Sequence, residues 1–262
     1  MATLIPQAVK YGSHPLIFLQ SSRPLAHSLR ALFSDAWFLE NVKLGEQAPT
    51  SAMTLARWSD PDNFARLTAR YGDFIYRQQH DLVREQKPLQ SLWAQWYFGL
   101  LLPPLMMALL LEPRALDCSP EHCHVEFHET GRAATFWFDV REDEEARYLS
   151  PRRRMDRLIQ QHLIPAVRGI GQHGEINDKL IWSNTGFTLG WFLGELAPQL
   201  GESLRAELEH AFFFSKTLLD GSENPFYRTM LPREGEMQRR TCCQRYRLPD
   251  VQRCGNCTLK PV

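Results

Sequence analysis

The sequence predicts a mostly helical α+β fold: a helical body with a small antiparallel β-hairpin or sheet, followed by a short tail organised by a metal. Three observations predict it. Apolar residues recur at helical spacing over most of the chain, the period changes to two between Glu121 and Val140, and four of the six cysteines lie at or beyond Cys242.

Arg23 to Val42 carries apolar residues at helical spacing, and so does Asn63 to Arg77, where Ser59 or Asp60 is placed to cap and Pro61 suits a first turn. Pro88 to Leu111 holds no charged residue and is long enough to span a bilayer. Pro103-Pro104 interrupts it, and Gln90, Ser91 and Gln95 dilute its start, so two buried helices meeting at the proline pair are expected. Alternation over Glu121–Glu129 and the aromatic run Arg132–Val140, separated by Thr130-Gly131, predict a hairpin. Arg141–Arg154 reads as a solvated connection, with Ser150-Pro151 starting a helix, and helical periodicity returns over 151–168, 178–196 and 201–214. In the last of the body, MLPREGEMQRRT predicts a second hairpin turning at Glu234-Gly235. The domain division expected is a body over 1–238 and a tail over 239–262, the tail having too few apolar residues to fold without a metal.

Composition excludes some functions. The 262 residues balance 30 Lys and Arg against 30 Asp and Glu, which leaves no excess positive field for nucleic acid. The first twenty residues lack the pattern of an export signal, so a reducing compartment is expected and the cysteines read as core thiols, metal ligands or redox groups. The 24-residue uncharged stretch leaves room for a loose peripheral membrane contact.

The tail carries the chemistry. Cys242 and Cys243 are adjacent, Cys254 follows after ten residues and Cys257 after two more. Four thiolates complete a tetrahedral zinc site or a 2Fe–2S cluster, and spacing alone leaves zinc, iron–sulfur and dithiol chemistry open. Successive side chains of an extended strand point to opposite faces, so the backbone must bend for Cys242 and Cys243 to serve one centre. Arg239, Arg240, Arg245, Arg247, Arg253 and Lys260 face a single acid, Asp250. That excess suits a dianionic thiolate centre, with Arg240, Arg245 and Arg247 the candidates for electrostatic tuning or docking.

TCCQRYRLPD followed by CGNCTLK resembles the C-terminal signature of the FhuF ferric siderophore reductases, and SAMTLARWSDP, SPEHCHVEFHETGR, GEINDKLIWSNTGF and NPFYRT look like the same family. The resemblance implies a 2Fe–2S cluster held by Cys242, Cys243, Cys254 and Cys257. It also implies a cytoplasmic protein that reduces Fe(III) bound to hydroxamate siderophores, and the uncharged stretch leaves room for peripheral contact at the inner face of the membrane. The chemistry is coherent, because hard oxygen donors hold Fe(III) far better than Fe(II) and one electron loosens the complex. The rival is a siderophore-binding protein with a structural zinc site. A second rival, a remnant of the siderophore synthetases that NDKLIWSNTG faintly resembles, is opposed by chain length and by the lack of a phosphate-binding loop.

Other patterns compete for attention. His122, His124, Glu126 and His128 alternate and, on a strand, share one face; they are candidates for lining a substrate cleft, against the plainer account of a polar strand face. Gly169 to Gly174 matches GxGxxG but follows a helical segment, so it reads as a helix end and not a dinucleotide site. Electrons are therefore expected from a separate donor: a reductase, a ferredoxin-like protein or a small reductant. Trp182, Phe187 and Trp191 are expected to pack into the core, and Cys118 and Cys123 to be structural thiols.

Overall fold

The structure is a computed structural model and describes residues 24–255 and 257–259. The segment on which export was judged, the expected helix start at Arg23, Asn256 of the cysteine knuckle and Lys260 lie outside those residues.

Helix α1 (Leu25–Leu32) ends sooner than the periodicity predicts, and the chain turns so that Phe33 and Phe38 meet edge to face at 5.2 Å. Strand β1 (Val42–Leu44) follows, then β2 (Met53–Thr54) and the single turn α2 (Leu55–Trp58). Helix α3 (Pro61–Ile75) begins as expected: Pro61 occupies the first turn, and the Asp60 carboxylate accepts the N–H groups of Asp62 and Asn63.

The central element corrects the sequence expectation. Helix α4 (Gln86–Leu111) runs without interruption through Pro103 and Pro104. Each proline costs an isolated helix about 3 kcal/mol. Leu101, Leu102, Leu105 and Met106 around the pair have no exposure, and each contributes roughly 1.5–3 kcal/mol on burial, so packing wins. By length and composition this helix is able to cross a bilayer, but 72% of its most apolar window is buried inside the protein, as in a core helix.

The hairpin forms between β3 (Cys123–Phe127) and β4 (Ala133–Phe138), with Gly131 at φ +85° and its carbonyl accepting the Trp93 indole N–H at 2.8 Å. It is the centre of a four-stranded sheet of order β1-β4-β3-β2, in which β1 joins β4 in parallel. β1 and β2 are too short for periodicity to reveal.

Ser150 caps α5 (Pro151–Leu158), which continues through a π-helical stretch (Ile159–Leu163) into α6 (Ile164–Gly171). A Cβ at Gly171 would stand 2.1 Å from Asp178 Oδ1, so these glycines serve close packing at a helix end and not a nucleotide. Helix α7 (Asp178–Glu195) packs along α4, then α8 (Ala197–Leu200) and α9 (Glu202–Phe213) complete the body. Trp182 is buried and Phe187 partly so, whereas Trp191 is 44% exposed and lies against Trp37, contrary to expectation. Strands β5 (Met230–Arg233) and β6 (Glu236–Arg239) form the second hairpin, and Glu234 and Gly235 both take positive φ at its turn.

Candidate metal centre and the cavities beside it

The cysteine segment leaves β6 and lies across α4. Leu248 is buried in the core and Val251 packs against it, while a 3₁₀ turn (Arg245–Arg247) touches α4. Directly after the adjacent cysteines the chain turns at Gln244, in the left-handed region at φ +63°, and the Gln244 N–H donates to Cys242 Sγ at 3.4 Å. Cys243 is buried, and Cys242, Cys254 and Cys257 are half-buried.

Cys243 Sγ lies 3.7 Å from Cys254 Sγ. Two thiolates on one tetrahedral metal at about 2.3 Å stand about 3.8 Å apart, so this pair is spaced for one metal. Cys257 is near enough to Cys242 to oppose its ionisation. Among the described residues no three His, Cys, Asp or Glu side chains gather around a single point. A 2Fe–2S cluster does not require that, because its two irons each take two thiolates. The donor set fits such a cluster. Burial raises the Cys254 thiol, and the Arg239 guanidinium acts against that rise. Burial also raises Cys242, opposed by the Gln244 N–H.

Arg239 is the residue that sequence reasoning undervalued. It is 2% exposed, its Nη2 donates to Cys254 Sγ at 2.7 Å, and its Nη1 donates to Asn184 Oδ1 at 3.2 Å. Its guanidinium carbon sits 4.8 Å from the Phe187 ring centre. Among the described residues no carboxylate pairs with it, and a thiolate at Cys254 would balance this buried cation. A chain of hydrogen bonds extends from it: Asn184 Nδ2 donates to Ser91 Oγ at 2.9 Å, and Ser91 Oγ donates to the Cys243 carbonyl at 2.7 Å. Helices α4 and α7 thus hold both the first cysteine pair and the cation facing the second. The available signal was polar groups amid aromatics at Ser183-Asn184-Thr185 and at Gln90-Ser91, in helices otherwise apolar.

The three arginines singled out from sequence diverge. Arg240 lines a cavity of about 990 Å3 between α6, α7 and the 216–229 loop. Arg245 donates to the Gln252 carbonyl and lines a cavity of about 580 Å3 with Tyr71, Trp96 and Arg132. Arg132 stacks on Trp96 at 4.3 Å, and burial pushes the Tyr71 hydroxyl up to about 12. Arg247 is tied to Glu85 as an ion pair.

The histidine strand is less regular than its spacing predicts. Only His124 and Glu126 lie within β3, for His122 belongs to a 3₁₀ turn and His128 falls past the strand end. His122 stands between Asp117 at 3.6 Å and Asp139 at 3.5 Å, Glu126 accepts the Trp137 indole N–H, and His128 contacts Thr130. None of the four lines either cavity beside the cysteine segment. Cys118 and Cys123 are buried with thiols raised by burial, as structural residues should be.

Comparison with known proteins agrees with this geometry. Residues 91–238 match the family described as ferric iron reductase FhuF-like transporter, and residues 239–259 match the FhuF 2Fe-2S C-terminal domain. The chain is 56% identical over 245 residues to the ferric siderophore reductase of Escherichia coli (strain K12), covering 92% of this chain and 94% of that protein. The buried cation on Cys254, the paired sulfurs and these matches lead to one conclusion: the chain belongs to the FhuF family of ferric iron reductases and carries that family's C-terminal 2Fe–2S domain.

Proposed function

We propose that this protein reduces Fe(III) held by hydroxamate siderophores, with Cys242, Cys243, Cys254 and Cys257 as the cluster ligands. The observation that carries the reading is the buried Arg239 guanidinium against Cys254 Sγ, a fixed positive charge that offsets a dianionic thiolate centre and favours the further negative charge gained on reduction. A 2Fe–2S cluster held by these four cysteines would supply the one electron that takes chelated Fe(III) to Fe(II). The chain's own residues do the rest: Ser91 and Asn184 fix the cysteine segment, Arg239 favours added negative charge, and Leu248 anchors the segment to the core. Iron leaves the chelate because hydroxamate oxygens hold Fe(II) poorly.

In this reading the iron is released in the cytoplasm, in a protein that touches the inner face of the membrane only loosely if at all. The electrons come from a separate donor, a reductase, ferredoxin-like protein or small reductant. The glycines at 169–174 close a helix and offer no dinucleotide cradle to replace that donor.

The test is anaerobic. The purified protein should absorb in the visible, bleach with dithionite with an EPR signal appearing, and regain its oxidised spectrum on adding a ferric trihydroxamate, while a ferrous chelator captures iron. Cys254→Ser should lose the visible absorption and the reduction while keeping its helical circular dichroism. A colourless zinc protein, or a Cys254→Ser variant with full activity, ends the reading.

A further inference from the structure

We infer that the cavity bordered by Arg240 and Thr241 is the site that binds the ferric chelate, and that it takes neutral or anionic oxygen-rich chelates in preference to cationic ones. The inference rests on the function proposed above and adds the place and charge class of its substrate. Residues 239 to 242 position the cavity. Arg239 ends β6 and reaches Cys254, and the chain then bends so that Arg240 and Thr241 both line the cavity immediately before Cys242. On α7, Ser183 lines the same cavity while the adjacent Asn184 holds Arg239. The cavity and the cysteine centre therefore share their walls, as a short electron path requires.

Its volume, about 990 Å3, is that of a pocket for a large small molecule. The wall is rigid on one side, where buried Asn224 donates to the carbonyls of Ala211, Phe212 and Ser215. Trp182 supplies an apolar surface, held edge to face by Phe226 at 5.0 Å. Ser183 Oγ and Thr241 Oγ1 are withdrawn from solvent and have no hydrogen-bond partner among the described residues. Such hydroxyls are costly unless something pairs with them, and both belong to residues that line the cavity.

Charge decides the class. Arg168, Lys179, Lys216, Arg228 and Arg240 line the cavity against Asp178 and Glu223. Three hydroxamates cancel the charge of Fe(III), so the ferric complex is neutral unless its periphery is charged. Accepting one electron makes it an anion. A cationic lining therefore binds the reduced complex more tightly than the oxidised one, which by linkage makes the bound chelate easier to reduce than the free one.

The probe is the gallium(III) complex of a cyclic trihydroxamate without ionisable side groups, which has the charge of the ferric complex and accepts no electron. Binding to the holoprotein is read by tryptophan fluorescence and calorimetry. Wild type should bind it and should bind the gallium complex of a linear trihydroxamate bearing a free amine at least fivefold more weakly. Lys216→Glu with Arg228→Glu, two exposed positions, should reverse that order of preference and raise KM for the neutral ferric chelate, with the cluster absorption and circular dichroism unchanged. Thr241→Val should weaken gallium-chelate binding several-fold without altering the charge preference. Absence of gallium-chelate binding in wild type, or an unchanged preference and KM in the double variant, overturns the site. A wild type that reduces ferric chelates while the double variant binds and reduces them identically loses only this site. A wild type that reduces none loses the functional reading as well.

Discussion

Arg239 donates to Cys254 Sγ at 2.7 Å from a position 2% exposed, and its second terminal nitrogen is occupied by Asn184. A unit charge about 5 Å from an added electron is worth about 3 kcal/mol at an effective dielectric constant of 20. Arg239→Met should therefore lower the reduction potential by roughly 130 mV, with Arg239→Lys between it and wild type. Redox titration followed by visible absorption and EPR measures this. An unchanged potential in Arg239→Met with an intact cluster would mean that the cation only packs.

Ser91 ties the core to the metal segment through one hydroxyl, which accepts from Asn184 and donates to the Cys243 carbonyl. Ser91→Ala leaves that carbonyl and the Asn184 amide unpaired in a buried site, at about 1–3 kcal/mol. The variant should lose its cluster faster to an iron chelator than wild type. Equal rates of absorbance loss would remove Ser91 from the support of the centre.

Gly131 turns the β3–β4 hairpin at φ +85°, and a Cβ there would stand 2.2 Å from the Leu67 carbonyl oxygen. Gly131→Ala should cost at least about 2 kcal/mol and disturb the Trp93 indole hydrogen bond to the same residue. Urea unfolding monitored by tryptophan fluorescence gives the value, and a midpoint within error of wild type would refute the close approach.

His162 lies in the π-helical stretch, fully buried, with Nδ1 against the Cys118 carbonyl at 2.9 Å. Burial lowers its pKa from 6.5 to about 4. The unfolded chain therefore takes up this proton first: stability is full above about pH 6.5 and falls as pH drops toward 4, by up to about 3 kcal/mol. His162→Gln should flatten that slope in denaturation curves taken between pH 7 and 4.5. A slope equal to that of wild type would assign acid sensitivity elsewhere.

Much of the fold was legible along the chain because it is written in local chemistry. Asp60-Pro61 and Ser150-Pro151 announce helix starts, Thr130-Gly131 and Glu234-Gly235 announce turns, and a change of period separates helix from strand. The cysteine spacing likewise marked the metal segment, since no core can form around four thiols in so polar a tail. Other features had no local signature. Pro103-Pro104 stays helical because neighbours clamp it, and β1 and β2 exist only by pairing with the hairpin.

From the sequence alone came four candidate thiol ligands in a basic tail and the helical body before them, because donor type, spacing and periodicity are properties of neighbours in the chain. Only the folded structure decided which arginine meets the sulfur. Arg239 and Arg240 are adjacent and chemically identical, yet one is buried against Cys254 and the other lines a cavity. The end of β6 at Arg239 and the docking of α4 and α7 separate them, and those depend on contacts between residues far apart in the chain.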